Sequence, residues 1–263
     1  MTSFSYALAD SATMLRRNLR HLLRYPSMTL MLVGIPIVLL LLFVYVFGGT
    51  LGAGLPGVSD GRTAYLNYVV PGIILITLAM VAQGTAISVA MDMTEGIIAR
   101  FRTMAISRAS VLTGHVLGSL IQTMLSTAVV VGVAVLIGFR PTAGLLGWLA
   151  VAGILALTAF ALIWLCVALG LVSDSVETAS NLPMFLTLLP FLGSGFVPTE
   201  SMPAGPRWFA EYQPFTPVTE TLRSLLTGTP IGNHATIAIG WGVGIALCSY
   251  LWARRLFIRR PGR

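Results

Sequence analysis

Runs of about twenty apolar residues recur along this chain, and most of its arginines stand on one side of them. Arg16, Arg17, Arg20 and Arg24 precede the first run, and Arg100, Arg102 and Arg108 follow the second. Arg254, Arg255, Arg259, Arg260 and Arg263 follow the last, while the segments facing the other way hold only Arg62, Arg140, Arg207 and Arg223. A backbone in hydrocarbon has no water to bond and must satisfy its own hydrogen bonds, so runs this long and apolar are helices. Arginine is retained on the cytoplasmic side during insertion, which places both ends of the chain inside. The pattern predicts an all-α polytopic membrane protein, a single transmembrane domain over residues 1–263.

Only 10% of the residues are charged, against about 25% in a soluble domain. Lipid must therefore replace water around much of the surface. A net charge of +7 would suggest nucleic acid for a soluble chain. Here the arginines mark topology and attract anionic headgroups, and no nucleic-acid partner is expected. Cys166 and Cys248 both lie inside apolar runs and read as packing residues, not as a disulfide or metal framework. The first run follows a long basic segment without a small-residue cleavage site, so it reads as a retained span. The chain has no lysine. A phosphate-cradling loop needs one to reach the β and γ phosphates, so any ATP and Mg would be held by another chain, with no cofactor in this one.

Six spans fit, near Ser27–Phe47, Asn67–Met91, Leu112–Gly138, Leu145–Val172, Val176–Phe196 and Thr236–Trp252. Pro36 and Pro71 are placed to kink the first two, and the fifth is short and holds Pro183 and Pro190. Ahead of the spans, residues 1–26 carry Phe4, Leu8, Leu15, Leu19 and Leu22 at helical spacing, with Asp10 and the arginines on other faces. This predicts an amphipathic helix on the cytoplasmic membrane surface; the plainer alternative is a basic flank that only sets topology.

Residues 92–111 form a cytoplasmic loop between spans two and three. Ile97, Ile98, Phe101 and Met104 make one apolar stripe, with Asp92 and Glu95 early and Arg100 and Arg102 later, the order the helix dipole favours. A short exposed amphipathic helix suits docking of a soluble partner, and equally suits a connector lying on the surface. Residues 197–233 form an external insertion divided by prolines. Thr216 is placed to cap a helix that starts at Pro217 and stops at Gly228. Val218, Leu222, Leu225 and Leu226 give it an apolar face, and Glu220, Arg223 and Ser224 a polar one. Trp208, Phe209, Tyr212 and Phe215 suit a membrane interface, so the insertion reads as outer helices dipping against the bilayer rim.

No Asp, Glu or Arg falls within the apolar core of any span, which argues against an ion-coupled transporter or proton pump. Thr77, Gln83, Thr85 and Ser88 in span two are candidates to touch a passing substrate. Gln122, Thr123, Ser126 and Thr127 in span three are similar, and for all of them bonding between helices is the plainer role. Ser194, between Gly193 and Gly195, raises an intramembrane hydrolase with His234 as base, but no orienting acid appears. His115 reads as an interfacial histidine. The pairs Gly114/Gly118 and Gly240/Gly244 have the spacing that allows close helix approach, within one subunit or across a dimer.

Three stretches resemble the type-2 permeases of ATP-binding-cassette exporters, particularly their daunorubicin-resistance branch. They are Asp92 to Arg102 continuing through Ser107-Arg108 and Val111 to Gly114, Phe191 to Pro198 with Met202-Pro203, Pro214 to Pro217 and Leu222-Arg223, and Tyr68 to Gly72. The resemblance implies six helices, an amino-terminal connecting helix, a cytoplasmic coupling helix after span two and re-entrant outer helices between spans five and six. It implies a dimer of permeases, homo- or heterodimeric, on two cytosolic nucleotide-binding ATPase subunits, and a bacterial inner (plasma) membrane. Glu95, Gly96, Arg100 and Arg102 match the coupling segment, and Pro198, Pro203 and Pro217 the outer insertion; the family often has proline where this chain has Ala105. The expected ATPase-coupling residues are thus Asp92, Glu95, Gly96, Arg100, Arg102 and Arg108. The expected function is export of a hydrophobic drug, lipid or similar compound, with no enzymatic activity in this chain. A polysaccharide or glycolipid exporter is the neighbouring alternative; a lipid-processing membrane enzyme or a scaffold is the alternative from another class.

Overall fold

A computed structural model describes residues 26–53, 61–94 and 108–259, with side chains at 31–53, 61–94 and 112–257. Among these residues there is helix and turn and no strand. Five helical stretches are long and apolar enough to cross a membrane: Met31–Ala53, Gly61–Thr94, Leu112–Leu136, Leu145–Val172 and His234–Phe257.

The first stretch comprises α1 (Pro26–Leu41), a π-helical turn (Leu42–Phe47) and α2 (Gly48–Ala53). It is followed by α3 (Gly61–Thr94), α4 (Arg108–Leu136) and α5 (Leu145–Val172). Next come two short helices, α6 (Val176–Asn181) and α7 (Met184–Leu188), and a 3-10 turn (Leu189–Leu192). A second 3-10 turn (Thr199–Ser201), α8 (Ala204–Tyr212), α9 (Phe215–Thr227) and α10 (His234–Arg259) complete the described chain.

The bundle is built around two helices. In its most apolar window α3 is 72% buried and α5 61%, whereas the stretches of α1–α2, α4 and α10 are 22%, 28% and 22% buried. α5 packs most extensively on α10 and on α3, and α4 also lies on α3. Leu75, Ile76, Ile163 and Val167 are fully enclosed. The outer helices instead expose Ile35, Val38, Leu125, Val129, Leu247 and Leu251. A soluble domain does not leave large apolar side chains outside on every peripheral helix; in lipid they face their own solvent.

Several sequence expectations change here. The fifth span is not one helix: it breaks at Pro183 and Pro190 into α6, α7 and the 3-10 turn, because proline lacks the amide that continues the ladder. α3 extends beyond Asn67–Met91 at both ends, and α10 beyond Thr236–Trp252. Helix also enters the 92–111 loop from both sides, reaching Thr94 and starting again at Arg108. Pro36 and Pro71 sit inside helices that run through them. Cys166 is buried as expected, but Cys248 lies exposed on α10. Gly240 and Gly244 have open space where a Cβ would stand, so they do not pack within this chain. The close approach falls at Gly242, where a Cβ would stand 2.8 Å from Leu157 Cγ. The amphipathic segment 1–25 and the stretch 95–107 lie outside the described residues.

Candidate functional site

The three stretches that carry the family resemblance are far apart in sequence, and two of them meet at one end of the bundle. α9 begins at Phe215, two residues earlier than expected, and ends where Gly228 adopts φ +70°, a left-handed conformation that glycine takes without cost. Thr216 is not its cap. The Thr216 hydroxyl donates to Ala210 O at 2.5 Å and accepts from Ser194 N at 3.4 Å. Val218, Leu222 and Leu226 are buried as the apolar face predicted, and Leu225 is half-buried. Trp208, Phe209 and Tyr212 are exposed on α8, whereas Phe215 is buried in the core.

That register points Arg223 into the bundle. Its Nη2 donates to Ser194 O at 2.8 Å and to Tyr68 O at 3.1 Å, and its Nη1 pairs with Glu220. The guanidinium carbon stands 3.7 Å from the centre of the Tyr68 ring, a cation–π stack. One side chain thus joins α3, the turn after the 3-10 segment and α9. Beside it the backbones of Gly72 and Gly195 touch: a Cβ on Gly72 would lie 2.7 Å from Gly195 O. Tyr65 OH donates to Phe196 O at 3.2 Å, and Phe191 and Phe196 stack on each other and pack against Phe43 of the π-helical turn. Gln213 Nε2 donates to Leu189 O at 3.0 Å. The broken fifth segment is therefore fixed from several sides. We expect Gly72→Val to destabilise the purified protein by about 1–3 kcal/mol, the usual cost of overpacking. Thermal unfolding in detergent reads this, and an unchanged midpoint would contradict the contact.

Between α9 and the amino-terminal end of α3 lies a cavity of about 880 Å³ lined by Tyr68, Ser194, Glu200, Glu211, Glu220, Arg223 and His234. It falls in the usual range for small-molecule sites. Ser194 is 3% exposed and its hydroxyl has no hydrogen-bond partner among the described residues. His234 shares the cavity but makes no bond to that hydroxyl, so no base activates it here. Ser194→Ala is expected to leave the function of the protein within about twofold of wild type; loss of a nucleophile costs several orders of magnitude.

The opposite end of the bundle holds a second polar constellation. Asp92 occupies the last turn of α3 instead of a loop, and is 7% exposed. His115, on the second turn of α4, is 8% exposed and places Nε2 at 2.9 Å from Asp92 Oδ2. It is thus a buried partner of Asp92 and not a solitary interfacial residue. A hydrogen bond to a charged group contributes about 1.5–3 kcal/mol, and more is lost when one partner is removed in a buried setting. Deeper between the same helices, Thr85 Oγ1 donates to Ser119 Oγ at 2.7 Å.

Of the other residues expected to line a pathway, Thr77 is fully buried and donates to Ile73 O at 2.9 Å. Gln83 donates to Ser180 O at 2.8 Å and Ser88 to Gly84 O at 3.0 Å, both half-buried. Glu95, Gly96, Arg100 and Arg102 lie outside the described residues, and Arg108 opens α4. Sequence reading missed the Arg223 network and the Asp92–His115 pair. The sole signal was that Tyr68, Ser194 and Arg223 all fell in stretches singled out for resemblance. Among the described residues no cluster of His, Cys, Asp or Glu is arranged to hold a metal.

A bundle of membrane-length helices, polar at its two ends and apolar around its girth, defines a polytopic integral membrane protein. The chain belongs to the ABC-2 type transporter family, whose model matches residues 11–227. It is 28% identical over 243 residues to a daunorubicin resistance ABC transporter permease protein of Streptomyces coeruleorubidus, covering 92% of this chain and 81% of that one. It is 27% identical over 179 residues, 64% of each chain, to a probable doxorubicin resistance ABC transporter permease protein of Mycobacterium tuberculosis. The protein is therefore a membrane permease subunit of an ABC transporter, and its family implies association with an ATP-binding subunit.

Proposed function

We propose that this chain is the membrane half of an ATP-driven exporter that moves a hydrophobic drug, lipid or similar compound out of the cell. The observation that carries this is the family match, which runs from the amino-terminal segment to the end of α9. The two relatives named above bear names of daunorubicin and doxorubicin resistance, which favours export of a drug-like compound over a polysaccharide or glycolipid. The absence of lysine supports the assignment of ATP hydrolysis to a separate subunit.

In this reading the segment around Glu95, Gly96, Arg100 and Arg102, between Asp92 and Arg108, docks on the ATP-binding subunit at the cytoplasmic face. α6, α7 and the following 3-10 turn act together as a broken fifth crossing, making six in all. α8 and α9 are the re-entrant outer helices, their exposed Trp208 and Tyr212 seated at the headgroup level. The cavity beside Arg223 is the outward end of the transport route, and Gln83 and Ser88 lie on the inward approach to it. The open faces around Gly240 and Gly244 on α10 remain available to lipid or to a second permease subunit.

The orientation has a direct test. With Cys166 and Cys248 replaced, a single cysteine at Thr199 is expected to react with an impermeant thiol reagent on intact cells. One at Ser3 is expected to react only after permeabilisation. Labelling of both from outside would contradict the orientation and with it the placement of the docking segment.

A further inference from the structure

We propose that Asp92 and His115 form a clasp that makes the cytoplasmic ends of α3 and α4 move as one, with His115 acting as a positioning residue for coupling. The inference rests on the exporter reading and adds to it a mechanical requirement. Residues 95–107 connect these two helices, so any force applied to that connection enters the bundle through Thr94 and Arg108. If the two ends part, the force spreads them and is lost. If they are tied, it displaces α3 and α4 together, and α3 is the most enclosed helix of the bundle.

The geometry fits a tie. Asp92 and His115 are 23 residues apart in sequence, on different helices, and bonded at 2.9 Å. Both side chains are 10% exposed, so water competes poorly for either partner. Below them the Thr85–Ser119 bond at 2.7 Å repeats the connection. The two bonds differ in position: one sits where the 95–107 connection joins the helices, the other about two turns further in along α3 and about one along α4. This difference separates a coupling role from ordinary helix packing.

The experiment uses the assembled complex, with the cognate ATP-binding subunit co-purified and reconstituted into vesicles. The reading is the amount of hydrophobic dye exported per ATP hydrolysed. His115→Ala is expected to lower that ratio about tenfold, an ordinary size for coupling between sites, with the amount of co-purified subunit unchanged. His115→Gln places an amide donor near Nε2 and is expected to keep the ratio within about twofold, as is the exchanged pair Asp92→His with His115→Asp. Ser119→Ala, which removes the deeper bond, is expected to lower stability but leave the ratio alone. A wild-type ratio in assembled His115→Ala complex overturns the clasp, as does an equal loss of ratio in Ser119→Ala.

A second measurement holds even where His115→Ala fails to assemble. Spin labels at the exposed positions Thr94 and Leu117, with Asp92 and His115 intact, are expected to keep one separation with and without ATP. A separation that changes between the two states overturns the clasp. Failure of the exporter reading itself looks different: no ATP-binding subunit accompanies the permease, whatever stands at position 115.

Discussion

Arg223→Ala is expected to be among the most damaging single substitutions at its end of the bundle. The change removes the donor to Ser194 O and Tyr68 O, the partner of Glu220 and the cation over the Tyr68 ring. The paired side chains are 16% and 26% exposed, so Glu220 would keep its charge in a place where water compensates it only partly. At such a half-buried site the loss of hydrogen bonds to a charged group costs about 1.5–3 kcal/mol, still a sizeable part of a domain's total stability. Lysine does not substitute, because a single ammonium cannot reach two carbonyls and a carboxylate while stacking on a ring. Removing both charges, as Arg223→Met with Glu220→Leu, is expected to cost less than Arg223→Ala alone. Thermal unfolding of the three variants in detergent reads this order. Arg223→Ala as stable as wild type would show that the network does not hold the outer helices.

The second large effect is expected at the other face. Glu95→Ala combined with Arg102→Ala should abolish export while leaving the permease in the membrane at its usual level. Truncating one member of a hydrogen-bonded charge pair buried in an interface costs about 2–5 kcal/mol, enough to lose most of an assembly, whereas a rim charge changes little. The measurement is the ATP-binding subunit recovered per permease, with ATP hydrolysis and export in the same preparation. Wild-type values for all three would move the docking surface elsewhere on the cytoplasmic face.

Helices whose ends carry strong punctuation were legible in the sequence. α5 occupies Leu145–Val172 as expected, because Gly144 and Ser173 adopt extended conformations on either side of an unbroken apolar run. The ends of α3 and α10 were underestimated for one reason: hydropathy falls where polar residues begin, while the helix continues through them. Asp92 illustrates it, since a carboxylate after an apolar run reads as loop until its partner is known. His115 is that partner, and helical periodicity within either segment cannot reveal a bond between two helices. Pro183 and Pro190 announced a weak fifth span, yet composition alone did not separate a kinked helix from the three short pieces found. The burial of Phe215 was not legible because ring chemistry is the same in a core and on an exposed face.

The site around Arg223 was legible in its parts and hidden in its assembly. Tyr68, Ser194 and Arg223 each stood in a distinctive stretch, but Arg223 reaches partners 155 and 29 residues away. Only the packed bundle, with glycines at 72 and 195 allowing backbone contact, brings them together. The Thr216 hydroxyl was read as a helix cap because local rules favour that use; packing of α8 against α9 gave it Ala210 O instead.

The central claim is that this permease moves a hydrophobic compound with energy from ATP bound on another chain. Its most direct test is transport into inverted vesicles made with the permease alone, the cognate ATP-binding subunit alone, or both. ATP-dependent accumulation of a fluorescent aromatic drug is expected only with both chains, and no ATP hydrolysis by the purified permease. Accumulation driven by the permease alone, or ATP hydrolysis by it when free of any partner, would contradict the account.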